Sequence, residues 1–278
     1  MLRVTIAAFG AVSLAVPLMA DDAIDWSRYV IDGYAVPMAY ENADGDLVRS
    51  GFTYRTPETQ AMQLDDFENP AMWRVDAGSE SWEIAEGGMG KSCADCHGDA
   101  ADSMRVVGTS YPKVDAASGK LLSLEHRINK CREESMQAEP YKWESEAMLN
   151  MTVFVRHQSR GMPVDVQIDG PAAPFFAQGE ELYTTRIGQL DMACEHCHVD
   201  NAGNHIRADM LSQGQSNGFP TYRHKWSKVG SIHRRIRGCM KNIRAKSYPY
   251  GSPENTALEL YVAWRGQGLP IETPSVRN

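Results

Sequence analysis

Apolar residues recur at helical spacing in four stretches of the chain, and the four fall into two matching pairs. Residues 122–137 and 229–246 each carry an apolar stripe, as in Ile232, Ile236, Met240 and Ile243, with polar positions between. Residues 144–157 and 254–265 show the same period. They stop at glycine, Gly161 in one case and Gly266 or Gly268 in the other, which marks two closing helices. Residues 199–218, rich in Gly, Asn and Gln, have no period and predict a loop. Residues 164–178, with Pro171 and Pro174, predict a linker. The chain also begins with an apolar run, MLRVTIAAFGAVSLAVPLMA, which has one positive charge at Arg3 and small residues at its end. That is the pattern of a secretory signal peptide over residues 1–20. The run is short for an anchor, and no later stretch is apolar enough to span a bilayer, so no membrane span is expected.

The pairing of helices reflects an internal repeat. GSESW at 78–82 precedes CADCH at 93–97, and GEELY at 179–183 precedes CEHCH at 194–198. Trp82 and Tyr183 each lie eleven residues ahead of the first cysteine of their motif. Tyr111-Pro112 is then matched by Phe219-Pro220, and SLEHRINKC at 123–131 lies over SIHRRIRGC at 231–239 without a gap. GMP at 161–163 corresponds to GLP at 268–270 with one residue of slippage. The loop 199–218 is seven residues longer than its counterpart in the first copy. Two units, 78–163 and 179–278, are therefore expected, joined by the linker 164–178. Residues 21–77 contain no such motif but scattered aromatics (Trp26, Tyr29, Tyr34, Trp73), and predict an N-terminal arm that packs across the units or meets a partner.

C-x-x-C-H is the attachment signature of c-type haem. Cys93 and Cys96, and again Cys194 and Cys197, would form thioethers to the porphyrin, with His97 and His198 as proximal iron ligands. A lone C-x-x-C can be a redox dithiol or half a zinc site. The histidine that follows, the export signal and the second copy favour two covalently bound haem c groups. The expected fold is mainly α, two tandem cytochrome c-like haem domains. Two cysteines remain, Cys131 and Cys239. Met162 resembles a cytochrome distal ligand, but its repeat equivalent is Leu269, which cannot bind iron. The position with a good ligand in both copies is the cysteine, so Cys131 and Cys239 are candidate distal thiolates. A disulfide between them, or Met162, Met240 or a nearby histidine as ligand, stays open at this level.

Charge separates the copies. The chain carries a net charge of −8, which argues against nucleic acid as a partner. In the first copy Arg127, Lys130 and Arg132 are offset by Glu125, Glu133, Glu134 and Glu139. In the second, Arg234, Arg235, Arg237, Lys241, Arg244 and Lys246 have no acidic residue among them. Such a field lowers the pKa of a thiol at Cys239 and suits a small dianion. Arg235 stands one turn before Cys239. Arg127 occupies the same place in the first copy, so pairing with haem propionates is an alternative, and a solvated basic face is another.

These motifs, the RRIRGCM segment at 234–240 and FENPAMWRVDAGSESW at 67–82 resemble SoxA, the dihaem subunit family of the SoxAX complexes of bacterial sulfur oxidation. The resemblance spans nearly the whole mature chain. It implies L-cysteine S-thiosulfotransferase activity: thiosulfate is joined oxidatively to a cysteine of the SoxYZ carrier, and two electrons pass to a c-type cytochrome. It also implies a SoxX monohaem partner and a periplasmic location. In its terms Cys239 is the catalytic, iron-ligating cysteine, found as a persulfide. Arg235 becomes the substrate-binding residue and Cys131 the distal ligand of the other haem. The rivals are a cytochrome that only transfers electrons, a dihaem peroxidase, and a scaffold that only docks the carrier. Peptide mass spectrometry of the oxidised protein should show haem on the peptides of Cys93–Cys96 and Cys194–Cys197 and extra sulfur on that of Cys239. A peptide linking Cys131 to Cys239 would overturn the ligand assignment.

Overall fold

The computed structural model describes residues 29–31 and 33–278. The expected signal peptide and Trp26 lie outside them. The first half contains α1 (Pro57–Leu64), α2 (Trp73–Glu83), α3 (Cys93–His97), α4 (Ala100–Ser103), α5 (Leu124–Cys131) and α6 (Glu146–His157). The second contains α7 (Ala173–Thr184), α8 (Cys194–His198), α9 (Ile232–Asn242) and α10 (Pro253–Trp264). The four periodic stretches are thus α5, α9, α6 and α10. Each is opened by a serine whose hydroxyl accepts a main-chain N–H three residues on: Ser123, Ser231, Ser145 and Ser252. α5 is prolonged by a π-helical turn, Arg132–Met136.

The two halves bury equivalent residues. Trp82, Leu124, Met151, Phe154 and Val155 form one core, and Tyr183, Ile232, Leu258, Tyr261 and Val262 form the other, position for position. In each, the helix before the C-x-x-C-H motif crosses the closing helix at a glycine. A Cβ on Gly78 would collide with Phe154 and the Asn150 carbonyl, and one on Gly179 with the Ala257 carbonyl. Trp82 then meets Phe154 at 5.7 Å between ring centroids, and Tyr183 meets Tyr261 at 5.0 Å. Both aromatic–proline bonds, Tyr111-Pro112 and Phe219-Pro220, are cis.

The structure differs from the sequence reading in the stretch 164–178. Val164 and Val166 are buried against Leu121, Leu260, Ala263 and Ile271, and from Ala173 onward the chain is already α7, with Pro174 in its first turn. Proline fits there because a first-turn N–H has no helical partner to lose. Residues 29–72 form two small hairpins and α1, and they fasten onto the C-terminal segment. Gln63 donates to Glu272 at 3.0 Å, Asn69 donates to the Pro274 carbonyl at 2.9 Å, and Tyr40 reaches the Gln267 carbonyl. The strand Ser275–Arg277 in turn runs parallel to Thr221–Arg223 in the second half.

Polar groups are buried where the halves meet. Glu125 on α5 and His233 on α9 are repeat-equivalent, and both are nearly inaccessible, as are Glu259 on α10 and Arg156 on α6. The Gly251 N–H donates to His233 Nδ1 at 3.1 Å, so Nε2 carries the proton and donates to Glu259 at 3.0 Å. Trp143 lies flat on the His233 ring, 4.9 Å away and 5° from parallel. Burial, and then the charge of Glu259, push the Glu125 carboxyl well above the usual carboxylate range, against a smaller opposite pull from His233. A carboxyl whose pKa is raised by folding stabilises the fold while protonated, and that contribution is lost as pH rises through the raised value. Glu125→Gln should therefore gain on the wild type by on the order of 1 kcal/mol between about pH 5 and about pH 8 in thermal unfolding. Parallel curves for the two proteins would contradict the assignment.

Candidate haem and anion site

The second C-x-x-C-H motif begins at the N-terminus of α8. His198 Nδ1 lies 2.7 Å from the Ser212 carbonyl, which it can reach only as a donor; Nε2 is then the unprotonated nitrogen available to a metal. Gly214 allows the chain to pass this ring. Its φ is +84°, and a Cβ there would sit 2.9 Å from His198 Cγ. α9 presents Cys239 from the facing wall of the same cleft. Between them lies a cleft of about 1810 Å³, open to solvent, with Cys194 and Cys197 at its edge and Leu190, Ile206, Ile236, Met240 and Ile243 on its walls. A mostly apolar slot, two thiols at its rim, and facing nitrogen and sulfur ligands fit a covalently attached haem.

The slot keeps its width because the turn before the motif is fastened to the end of the cysteine helix. Gln189 and Leu190 donate their N–H groups to the carbonyls of Arg244 and Ile243, and Gly188 (φ +73°) packs where a Cβ would strike the Ile243 carbonyl. The first half repeats this arrangement. Gly88 and Met89 donate to Gln137 and Met136, and Gly87 (φ +70°) packs on the Met136 carbonyl. There α3 and α5 bring Cys131 within electrostatic reach of Cys93 and Cys96, while Trp82 donates to the Gly98 carbonyl at 3.0 Å and lies 5.8 Å from the His97 ring. No disulfide joins Cys131 to Cys239. Met240 lines the second cleft beside Cys239, while Met162 is tied through its carbonyl to Ile271 at the C-terminal segment.

The basic field around Cys239 divides on folding. Arg234 pairs with Glu144 at 3.4 Å and lies over the Trp226 ring. Arg237 reaches the Tyr248 carbonyl and lies over the Tyr250 ring. Of the six basic residues on this segment, only Arg235 lines the cleft. Three arginines that sequence reasoning missed join it: Arg223, Arg277, which pairs with Glu272, and, from the N-terminal arm, Arg55.

Arg223 marks a reversal of charge between the copies. In the ungapped register its counterpart is Asp115, which pairs with Arg127 at 2.7 Å and with Lys130 at 2.7 Å. Arg127, the counterpart of Arg235, also donates to the Tyr111 hydroxyl at 3.2 Å. The first site thus neutralises its own cations. In the second, Phe219 replaces Tyr111 and Arg223 replaces Asp115, and among the described residues no carboxylate pairs with Arg235. The two cysteines respond in opposite directions. Burial pushes the Cys131 thiol up despite Arg127. Burial acts the same way on Cys239, but the positive charge beside it, Arg235 first and then Arg223, outweighs burial and pulls the thiol below its ordinary value.

Two repeated helical units, each built around C-x-x-C-H with a fixed opposing helix, define a c-type cytochrome, a protein that carries haem c. A family model described as SoxA/TsdA, cytochrome c domain, matches residues 77–164 and 178–271, and the chain belongs to that family. It is 49% identical over 230 residues to the L-cysteine S-thiosulfotransferase subunit SoxA of Pseudaminobacter salicylatoxidans, covering 82% of this chain and 80% of the relative. It is 47% identical to the SoxA subunit of Paracoccus pantotrophus over 87% of this chain and 83% of that one. A chain of the crystal structure of SoxXA from P. pantotrophus superimposes with a TM-score of 0.81 at 48% identity, covering 84% of this chain and 88% of that chain.

Gly214 gives a direct check on the His198 geometry. Gly214→Ala strains a left-handed backbone and drives a methyl into the imidazole, so haem retained at the second motif should fall, or its low-spin ferric EPR signal should shift, while the first signal stays unchanged. An unaltered second signal would contradict the close packing.

Proposed function

We propose that this chain is the catalytic, dihaem subunit of a periplasmic thiosulfate-oxidising complex, acting as an L-cysteine S-thiosulfotransferase. The observation that carries the reading is the pairing of Cys239 with an unneutralised Arg235 in the second cleft, set against a self-neutralised counterpart in the first. The names borne by the similar SoxA proteins agree with it. Cys93, Cys96, Cys194 and Cys197 would anchor two haem c groups, with His97 and Cys131 on the first iron and His198 and Cys239 on the second. Bound there, haem supplies a one-electron acceptor next to the reacting sulfur.

The residues of this chain then do three things. Arg235 holds the thiosulfate dianion by charge-assisted hydrogen bonds in a partly desolvated cleft. The positive charge of Arg235 and Arg223 favours the thiolate form of Cys239, the nucleophilic form of the sulfur. The apolar mouth, where Leu190 and Ile206 are both 48% exposed, offers a surface to the carrier's cysteine-bearing segment. In the net reaction a sulfur–sulfur bond forms between the sulfane sulfur of thiosulfate and the carrier thiolate. Two electrons leave for an external c-type cytochrome. In a stepwise form the bond forms first at Cys239, with loss of both electrons, and the carrier thiolate then displaces Cys239. A SoxX-like monohaem subunit is the expected partner, in keeping with the likeness to a chain of the SoxXA crystal structure. No helix among the described residues is long and apolar enough to cross a membrane.

The test is conjugation of thiosulfate to a purified carrier, read by the mass of the carrier, with ferric cytochrome c as acceptor. Cys239→Met should cut the rate by at least roughly 10³-fold, since a nucleophile is lost and not merely a ligand. Cys131→Met should leave most of it. Full conjugation by Cys239→Met would instead support the purely electron-transferring cytochrome.

A further inference from the structure

The second cleft holds more positive charge than one substrate arginine supplies, and its sources are spread over three distant parts of the chain. Arg235 comes from α9, Arg223 from the strand Thr221–Arg223, and Arg55 from the N-terminal arm just before α1. Each is fixed differently. Arg223 donates through Nε to the Asn278 main-chain oxygen at 2.6 Å and through Nη2 to Asp209 at 3.2 Å. Arg55 donates through Nη2 to the Met210 carbonyl at 2.7 Å, while its Nε is buried without a partner. The other charged groups at this wall are Arg277, paired with Glu272 at 2.6 Å, and Lys225 at the rim.

With Asp209 and Glu272 set against Arg55, Arg223, Arg235, Arg277 and Lys225, this wall of the cleft keeps a positive balance, and Arg235 and Arg223 act on the sulfur of Cys239. Packing guanidinium groups together is costly without an anion between them: burial first, and then repulsion, chiefly from Arg277 on Arg55 and from Arg235 on Arg223, holds both down to about 10. The first cleft shows that the repeat does not require this arrangement. There Asp115 stands in place of Arg223 and takes up both Arg127 and Lys130. A feature needed merely to hold the same cofactor would be shared by both copies.

We propose that Arg223 and Arg55 are further substrate-positioning residues, which with Arg235 form a three-arginine receptor for a small sulfur-oxyanion dianion beside Cys239. This rests on the thiosulfate reading above and extends it in two ways. The replacement of Asp115 by Arg223 converts a relay site into an anion-binding one, and the arm contributes to the site through Arg55. Arg223, held on two sides, sets the position of the anion. Arg55, with a free Nε, closes over it.

Binding of radiolabelled thiosulfate to the oxidised, haem-loaded protein by equilibrium dialysis, without carrier or electron acceptor, tests this apart from turnover. Arg223→Gln and Arg55→Gln should each weaken binding by about tenfold, the usual worth of a charge-assisted hydrogen bond. Arg223→Lys should recover part of the loss. Sulfate should compete and chloride at equal ionic strength should not. Haem content and both low-spin EPR signals should stay as in the wild type. Unchanged binding in the glutamine variants would overturn the proposal. So would weakening accompanied by a lost or altered second haem signal, which would assign the arginines to the haem carboxylates. Equal weakening in Arg186→Gln, an exposed control paired with Asp191 at 3.0 Å, would reduce the effect to general electrostatics and overturn it as well. Wild-type protein that binds thiosulfate but never conjugates it to a carrier would defeat the proposed activity and leave the receptor standing.

Discussion

The rest of this structure depends on one contact made twice: the turn before each C-x-x-C-H motif is hydrogen-bonded to the end of the helix that carries the lone cysteine. Gly87 on the Met136 carbonyl and Gly188 on the Ile243 carbonyl permit an approach that no side chain could occupy. Histidine and cysteine are thereby held on opposite walls of a slot, which is the geometry two axial ligands require. The crossings at Gly78 and Gly179 serve the same end. They bring the first and last helices of each unit together behind the motif, and the shared cores fill the space between.

On that common frame the chemistry is set by few substitutions. Tyr111 and Asp115 in one copy become Phe219 and Arg223 in the other. The first change removes a hydrogen-bond acceptor from the arginine, and the second turns its carboxylate partner into another cation. The opposite shifts of the two cysteine thiols follow in part from those charges. The buried seam of Glu125, His233, Glu259 and Arg156 differs in kind. It adds polar groups to the apolar clusters through which the halves also meet.

The repeat, the four main helices and the capping serines were legible because each is a local pattern: a period of 3.6, a serine before it, a motif of five residues. Asp115 and Arg223 were also within reach, since they fall in the ungapped register from Tyr111 to Cys131 over Phe219 to Cys239, although they lie ahead of the two cysteine helices. The stretch 164–178 misled because its prolines suggested a break. One of them opens a helix, and the valines before it are buried by α10, a partner nearly a hundred residues away that no local window contains.

The sequence by itself determined that two units with a C-x-x-C-H motif are present, that each has a further cysteine at the same place, and that the second is surrounded by basic residues. Only the tertiary structure decided which of those basic residues face the thiol. Arg234 and Arg237 are adjacent to Arg235 or nearly so, yet they turn to Glu144 and to the Tyr248 carbonyl, while Arg223 and Arg55 arrive from elsewhere. The physical reason is directional. Charge along a chain is a count, but its effect on a sulfur depends on distance, on burial and on which carboxylates lie in between, and folding alone sets those.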